Sequence, residues 1–160
     1  MLGATDRVGI SDLVHRYAAA VDDRQFDSVV QLFTEAAELI LPDPPVVLEP
    51  VHRHRGHTAI GAAIAAVVIP TEHAIVGEVY DVTPRPDVAH GRVACIAHHW
   101  SQHADQLTDV VWHLRYDDEY QLTDVGWRIA RRALTINAIE TRPVRRLRIT
   151  GLQSKTRLGD

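Results

Sequence analysis

This chain predicts an α+β fold, with helices first and a curled antiparallel sheet packed against them. Two changes of rhythm carry that expectation. Up to about residue 68 the apolar residues recur at helical spacing, and from residue 73 onward they alternate with a period of two. Helices followed by a run of strands is the pattern in which helices cover one face of a sheet. Size and composition agree, since 160 residues, 46% hydrophobic and 24% charged, suit one globular domain with a substantial core. Residues 1–141 are expected to form the domain and residues 142–160 a basic tail.

The first helix is expected over about residues 8–22, where Ile10, Leu13, Val14, Tyr17, Ala18 and Val21 make one apolar stripe, with Asp6 or Ser11 as its cap. A shorter helix through Phe26, Val29, Val30 and Phe33 would complete a helical hairpin. The stretch AELILPDPPVVLEP opens as a short strand, and its prolines predict an irregular loop of the kind that covers a pocket. GHTAIGAAIAAVV reads as a third helix. Four alternating segments follow, HAIVGEVYDVT, HGRVACIAHHWSQH, DVVWHLRYDDEYQL and WRIARRALTINAIE, as antiparallel strands joined by hairpins.

Several function classes drop out early. A net charge of -4 gives no reason to expect nucleic acid as a partner. No apolar run approaches the roughly 18 to 20 residues of a membrane span, and the first residues lack an apolar leader core, so a cytoplasmic location and no membrane partner are expected. Lys155 is the single lysine and lies in the tail, which disfavours Schiff-base chemistry and a phosphate-binding loop. Cys95, alone in the apolar run VACIA, is expected to be a buried, unreactive thiol. The tail residues Arg142, Arg145, Arg146, Arg148, Lys155 and Arg157 read as a solvated extension or a subunit-docking arm.

Two adjacent aspartates close the first helix. At about 100° per residue, Asp22 falls about 120° from Ile10, at the edge of the apolar stripe, and Asp23 falls about 220° away, on the far side. Asp22 is therefore the one that can face an interior. It either serves a site or merely caps the second helix. On the second long strand His98 and His99 point to opposite faces, and counting in twos groups His98 with Ala94, Ile96 and Trp100 on an apolar side, which is expected to be the inner face. On the third, Trp112, Leu114, Tyr116, Asp118 and Tyr120 share a face, where Tyr116 can donate to a substrate oxygen or act as wall. His52, His54 and His57 invite a metal reading, but no carboxylate or cysteine is interleaved, so no metal is expected.

The segments YAAAVDDRQFDSVVQLFTEAAEL, RGHTAIGAAI, TEHAIVGEV and YDDEYQLTDVGWRIARRAL together resemble the SnoaL-like branch of the nuclear transport factor 2 superfamily, over roughly residues 8–140. The resemblance implies a cone-shaped roll with a deep apolar pocket. Scytalone dehydratase, lindane dehydrochlorinase and polyketide cyclases of that superfamily act without organic cofactor or metal, so none is expected here. By resemblance, Asp22 and His73 take the places of a catalytic aspartate–histidine pair, and His98 that of a second pocket histidine. Tyr17 and Arg131 stand where the dehydrochlorinase carries basic pocket groups, tyrosine replacing lysine at 17. A homodimer is likewise implied by resemblance.

The resulting expectation is a cofactor-independent lyase or isomerase acting on a small, mostly apolar molecule. His73 is the general base, Asp22 its orienting partner and His98 a further catalytic group, with Tyr17, Trp100, Tyr116 and Arg131 lining the substrate site. The rival expectations are a non-catalytic small-molecule-binding or assembly module of the same fold and, third, a metal hydrolase built on His52, His54 and His57.

Overall fold

A computed structural model describes residues 2–148, so the calls on Lys155 and Arg157 lie outside the described residues. Helix α1 spans Ala4–Asp22 and α2 Phe26–Val30. Strands β1 (Phe33–Asp43) and β2 (Val47–Arg55) follow, then α3 (Gly56–Ala65), and finally β3 (Thr71–Val82), β4 (Val88–His103), β5 (Gln106–Thr123) and β6 (Gly126–Val144). Six strands form one sheet in the order β2-β1-β6-β5-β4-β3. The helices pack on the inner face of this curved, unclosed sheet, as the periodicity predicts. The sheet is mixed rather than wholly antiparallel, because β1 joins β6 in parallel.

The stripe of α1 is buried as expected, with Ile10, Leu13, Val14, Tyr17 and Ala18 all in the core. The helix ends because Arg24 turns to a φ of 57° while the Asp23 and Gln25 amides still reach back to Ala19 and Ala20. The second helix stops at Val30, short of Phe33. Phe33 instead opens β1 beside Ile129, whose amide bonds the Leu32 carbonyl at 2.9 Å, so sheet pairing overrides the local helical pattern.

The proline-rich stretch is the main correction to the expected architecture. It is a β-hairpin, not an irregular lid. Pro44 and Pro45 fall in its turn, Pro42 sits where the register shifts between Leu41 and Asp43, and Pro50 lies in the edge strand β2, so none is asked for a central ladder amide. The third helix ends at Ala65, three residues early, with Val67 and Val68 exposed before Ile69 and Pro70 lead into β3. At the other end β6 runs on through Arg142 to Val144, past the expected domain boundary.

The core is unusual in its polar centre. Arg132 of β6 is fully buried, its guanidinium 4.2 Å from the ring centres of both Tyr17 and Tyr116. It donates to both oxygens of Asp118, at 3.0 and 2.7 Å, and the Tyr120 hydroxyl donates to the same carboxylate at 2.6 Å. One core helix and two strands are thereby tied at a single point.

Candidate active site

The end of α1 and the start of β3 meet, which brings Asp22 against His73. Thr71 and His73 are two apart on β3 and so point to the same inner face, toward the helix. Oδ1 of Asp22 accepts from His73 Nδ1 at 2.6 Å and from Thr71 Oγ1 at 2.8 Å, and Oδ2 accepts from the His73 backbone amide at 2.8 Å. Burial pushes the Asp22 carboxyl up, but the bonds and charge of His73, with Thr71, outweigh it and hold the group below its ordinary value. Asp22 is thus an anion that fixes the ring with Nδ1–H toward it, so that in a neutral ring Nε2 would be the nitrogen that carries the lone pair. Asp23 is exposed, on the far side, as the helical wheel places it.

A second histidine shares this inner face, but it is His99 and not His98. His99 is 7% exposed, its ring 6.4 Å from that of His73 and 4.2 Å from Trp112. Its Nδ1–H donates to the Val110 carbonyl at 3.0 Å, and burial lowers its pKa, so the ring is neutral with Nε2 as an acceptor. The alternation expected along β4 is present, with the opposite parity. The buried set is Val93, Cys95, Ala97 and His99, because the concave side is already filled by Tyr17, Tyr116 and Tyr120 and admits only smaller side chains from β4. Bulk on this strand marks the outside.

His98 therefore lies on the outer face. There its Nδ1 meets Asp109 Oδ2 at 2.7 Å, and its ring stacks on Trp100 at 5.7 Å. Trp100 nevertheless reaches the site's border, lining an open cleft of about 830 Å³ with Asp22, Thr71, Pro70 and Leu147. Tyr17 and Tyr116 are on the inner face as expected, 6.0 Å apart. Arg131 is exposed on the outer face opposite Glu119, so the cation inside is its neighbour Arg132. Alternation also explains this correction, since a shift of one residue along a strand exchanges the faces.

Sequence reasoning missed Thr71, His99 and Arg132. The spacing of Thr71 to His73 was a usable signal for the first. For His99 the correct parity of β4 was lacking, and for Arg132 the resemblance pointed to its neighbour Arg131. His52 and His54 of β2 and His57 of α3 do not gather: His57 Nε2 bonds the Phe33 carbonyl at 3.0 Å while His52 lies 3.9 Å from Asp43, and among the described residues no three metal-binding side chains converge. Cys95 is buried and its thiol is pushed up to about 12, first by burial, which suits the unreactive role.

Comparison with known proteins places the fold. The profile of the SnoaL-like domain matches residues 3–133. No curated protein matches the sequence. Among solved structures, the Kfla4162 protein of Kribbella flavida is 27% identical with a TM-score of 0.71, covering 85% of this chain and 93% of that one. A protein assigned as a scytalone dehydratase, from Novosphingobium aromaticivorans, is 19% identical with a TM-score of 0.72 over 88% and 90% of the two chains. The hexachlorocyclohexane dehydrochlorinase LinA-type3 of Novosphingobium barchaimii is 16% identical, TM-score 0.69, over 91% and 94%. At such identities the last two speak for the fold alone. Among the described residues no helix is long and apolar enough to cross a membrane. With the family profile running over most of its length, this chain belongs to the SnoaL-like domain family, within the NTF2-like fold.

Proposed function

We propose that the protein is a cofactor-independent acid–base enzyme, a lyase of the dehydratase type or an isomerase, acting on a small and mostly apolar molecule. The observation that carries this reading is the Asp22 carboxylate held 2.6 Å from His73 Nδ1, on the inner face of the sheet. An imidazole so oriented keeps Nε2 basic, and the carboxylate stabilises the imidazolium that forms when the ring takes a proton. In a dehydration, Nε2 removes a proton from carbon, the C–H electrons become the new double bond, and the departing oxygen takes the same proton back from the ring. His99, as a neutral acceptor close by, receives a hydroxyl or N–H of the substrate. Val68, Pro70, Trp100 and Leu147 on the wall of the cleft that Asp22 borders suit a mostly apolar substrate.

Asp22→Asn tests the reading directly. On a substrate found by screening small β-hydroxy ketones and related enols, the variant should lose about 100-fold or more in kcat/KM with its melting curve preserved. Unchanged turnover would remove Asp22 from the chemistry. The rival, a binding module without turnover, is favoured by one observation: the His98–Asp109 pair on the outer face shows that this contact also forms away from the site. Bound ligand recovered unaltered after long incubation, read by mass spectrometry, would decide for it.

A further inference from the structure

We propose that Thr71 is a positioning residue of this centre, whose hydroxyl keeps the proton shared by His73 and Asp22 on the imidazole. The inference rests on the acid–base reading above and deepens it. At an N···O separation of 2.6 Å the proton stays with whichever atom is more basic, and each donor added to a carboxylate lowers the basicity of its oxygens. Asp22 has three donors. Two belong to His73 itself, its ring and its amide, so the Thr71 hydroxyl is the one contribution that can be removed without touching the imidazole. It also binds Oδ1, the oxygen that faces the ring.

The fold holds Thr71 in place from both sides. It opens β3 opposite His99 of β4, and the preceding carbonyl of Pro70 accepts the Trp100 amide at 3.0 Å. Threonine's β-branch restricts its χ1, which keeps the hydroxyl on Asp22. Thr71 and Asp22 both border the 830 Å³ cleft. The other titratable or charged groups near Asp22 are Asp23 and Arg24, which follow it in sequence, Glu72 and Arg148, which line the same cleft, and the buried Cys95 and His99 of β4 behind the pair. Without the hydroxyl, Asp22 becomes more basic and draws Nδ1–H from the imidazolium formed in turnover. The neutral ring left behind is a weaker acid toward the departing oxygen.

The experiment uses Thr71→Val and Thr71→Ser in the full chain, following the Asp22 carboxyl carbon and the His73 ring nitrogens by NMR titration. Thr71→Val should raise the Asp22 midpoint by about one pH unit and reduce kcat about tenfold with KM little changed, and Thr71→Ser should restore both. An Asp22 midpoint unmoved in Thr71→Val, or moved equally in Thr71→Ser, overturns the proposal. The titration needs no substrate, so failure here is distinct from failure of the acid–base reading, which Asp22→Asn decides.

Discussion

Two histidine rings in this protein lean on an aspartate at almost the same distance, His73 on Asp22 at 2.6 Å and His98 on Asp109 at 2.7 Å. Their surroundings separate them. Both carboxylate oxygens of Asp22 are engaged and the pair faces the helices, whereas Asp109 Oδ1 is buried without a partner among the described residues and its pair faces outward. Acid stability should report the inner site in two windows. The pKa of His99 is lowered in the fold, so the unfolded chain binds its proton first, and stability falls as pH drops below about 6.5. Asp22, also lowered, contributes stability that is present above about pH 4 and is lost as pH falls through its folded value. Melting His99→Gln beside the parent at about pH 7 and about pH 5 should show a shallower loss in the variant. Equal slopes would mean that His99 is not buried neutral.

Among the elements, β4 shows most clearly how packing selects residues. Its inner face is built from Ala89, Gly91, Val93, Cys95, Ala97 and His99, opposite the large inner set of β5. At Gly91 a Cβ would lie 2.6 Å from Tyr120 Cε2 and 3.1 Å from Tyr80 Cδ1. Tyr120 cannot yield easily, being fully buried with its hydroxyl on Asp118. Gly91→Ala should therefore destabilise by about 1 to 3 kcal/mol, measured by denaturant unfolding. A neutral result would show that the tyrosine pair shifts freely. The β1–β2 hairpin teaches the complementary lesson, since its prolines fall at a turn, a register shift and an edge, positions that make no demand on a proline nitrogen.

Across the whole molecule, the buried Arg132–Asp118 pair joins β6 to β5 and seats α1 through Tyr17. Burial disfavours the charged guanidinium, but Asp118 outweighs it and holds the arginine pKa well above its ordinary value. Arg132→Met leaves a buried carboxylate supported by Tyr120 alone and should lose about 3 to 5 kcal/mol in urea unfolding, with part recovered on adding Asp118→Asn. No recovery would mean that the loss comes from packing rather than from the stranded charge.

The fold class, the stripe of α1, the inward turn of Asp22 and the four long strands were legible in the chain, because helical and strand periods are local and repeat often enough to be counted. The partnership of Asp22 with His73 came from resemblance, for no local pattern links residues 51 apart. Parity was the point of failure: alternation says that His98 and His99, or Arg131 and Arg132, face opposite ways, but it does not say which way is in. That choice depends on what already fills the concave side, and here the tyrosines of α1 and β5 leave β4 room only for small residues and one neutral histidine. The parallel pairing of β1 with β6 was equally invisible, because it joins distant segments through backbone bonds that carry no side-chain signature. Local periodicity therefore determined the elements, and competition for space on the concave side decided which of their faces turned inward.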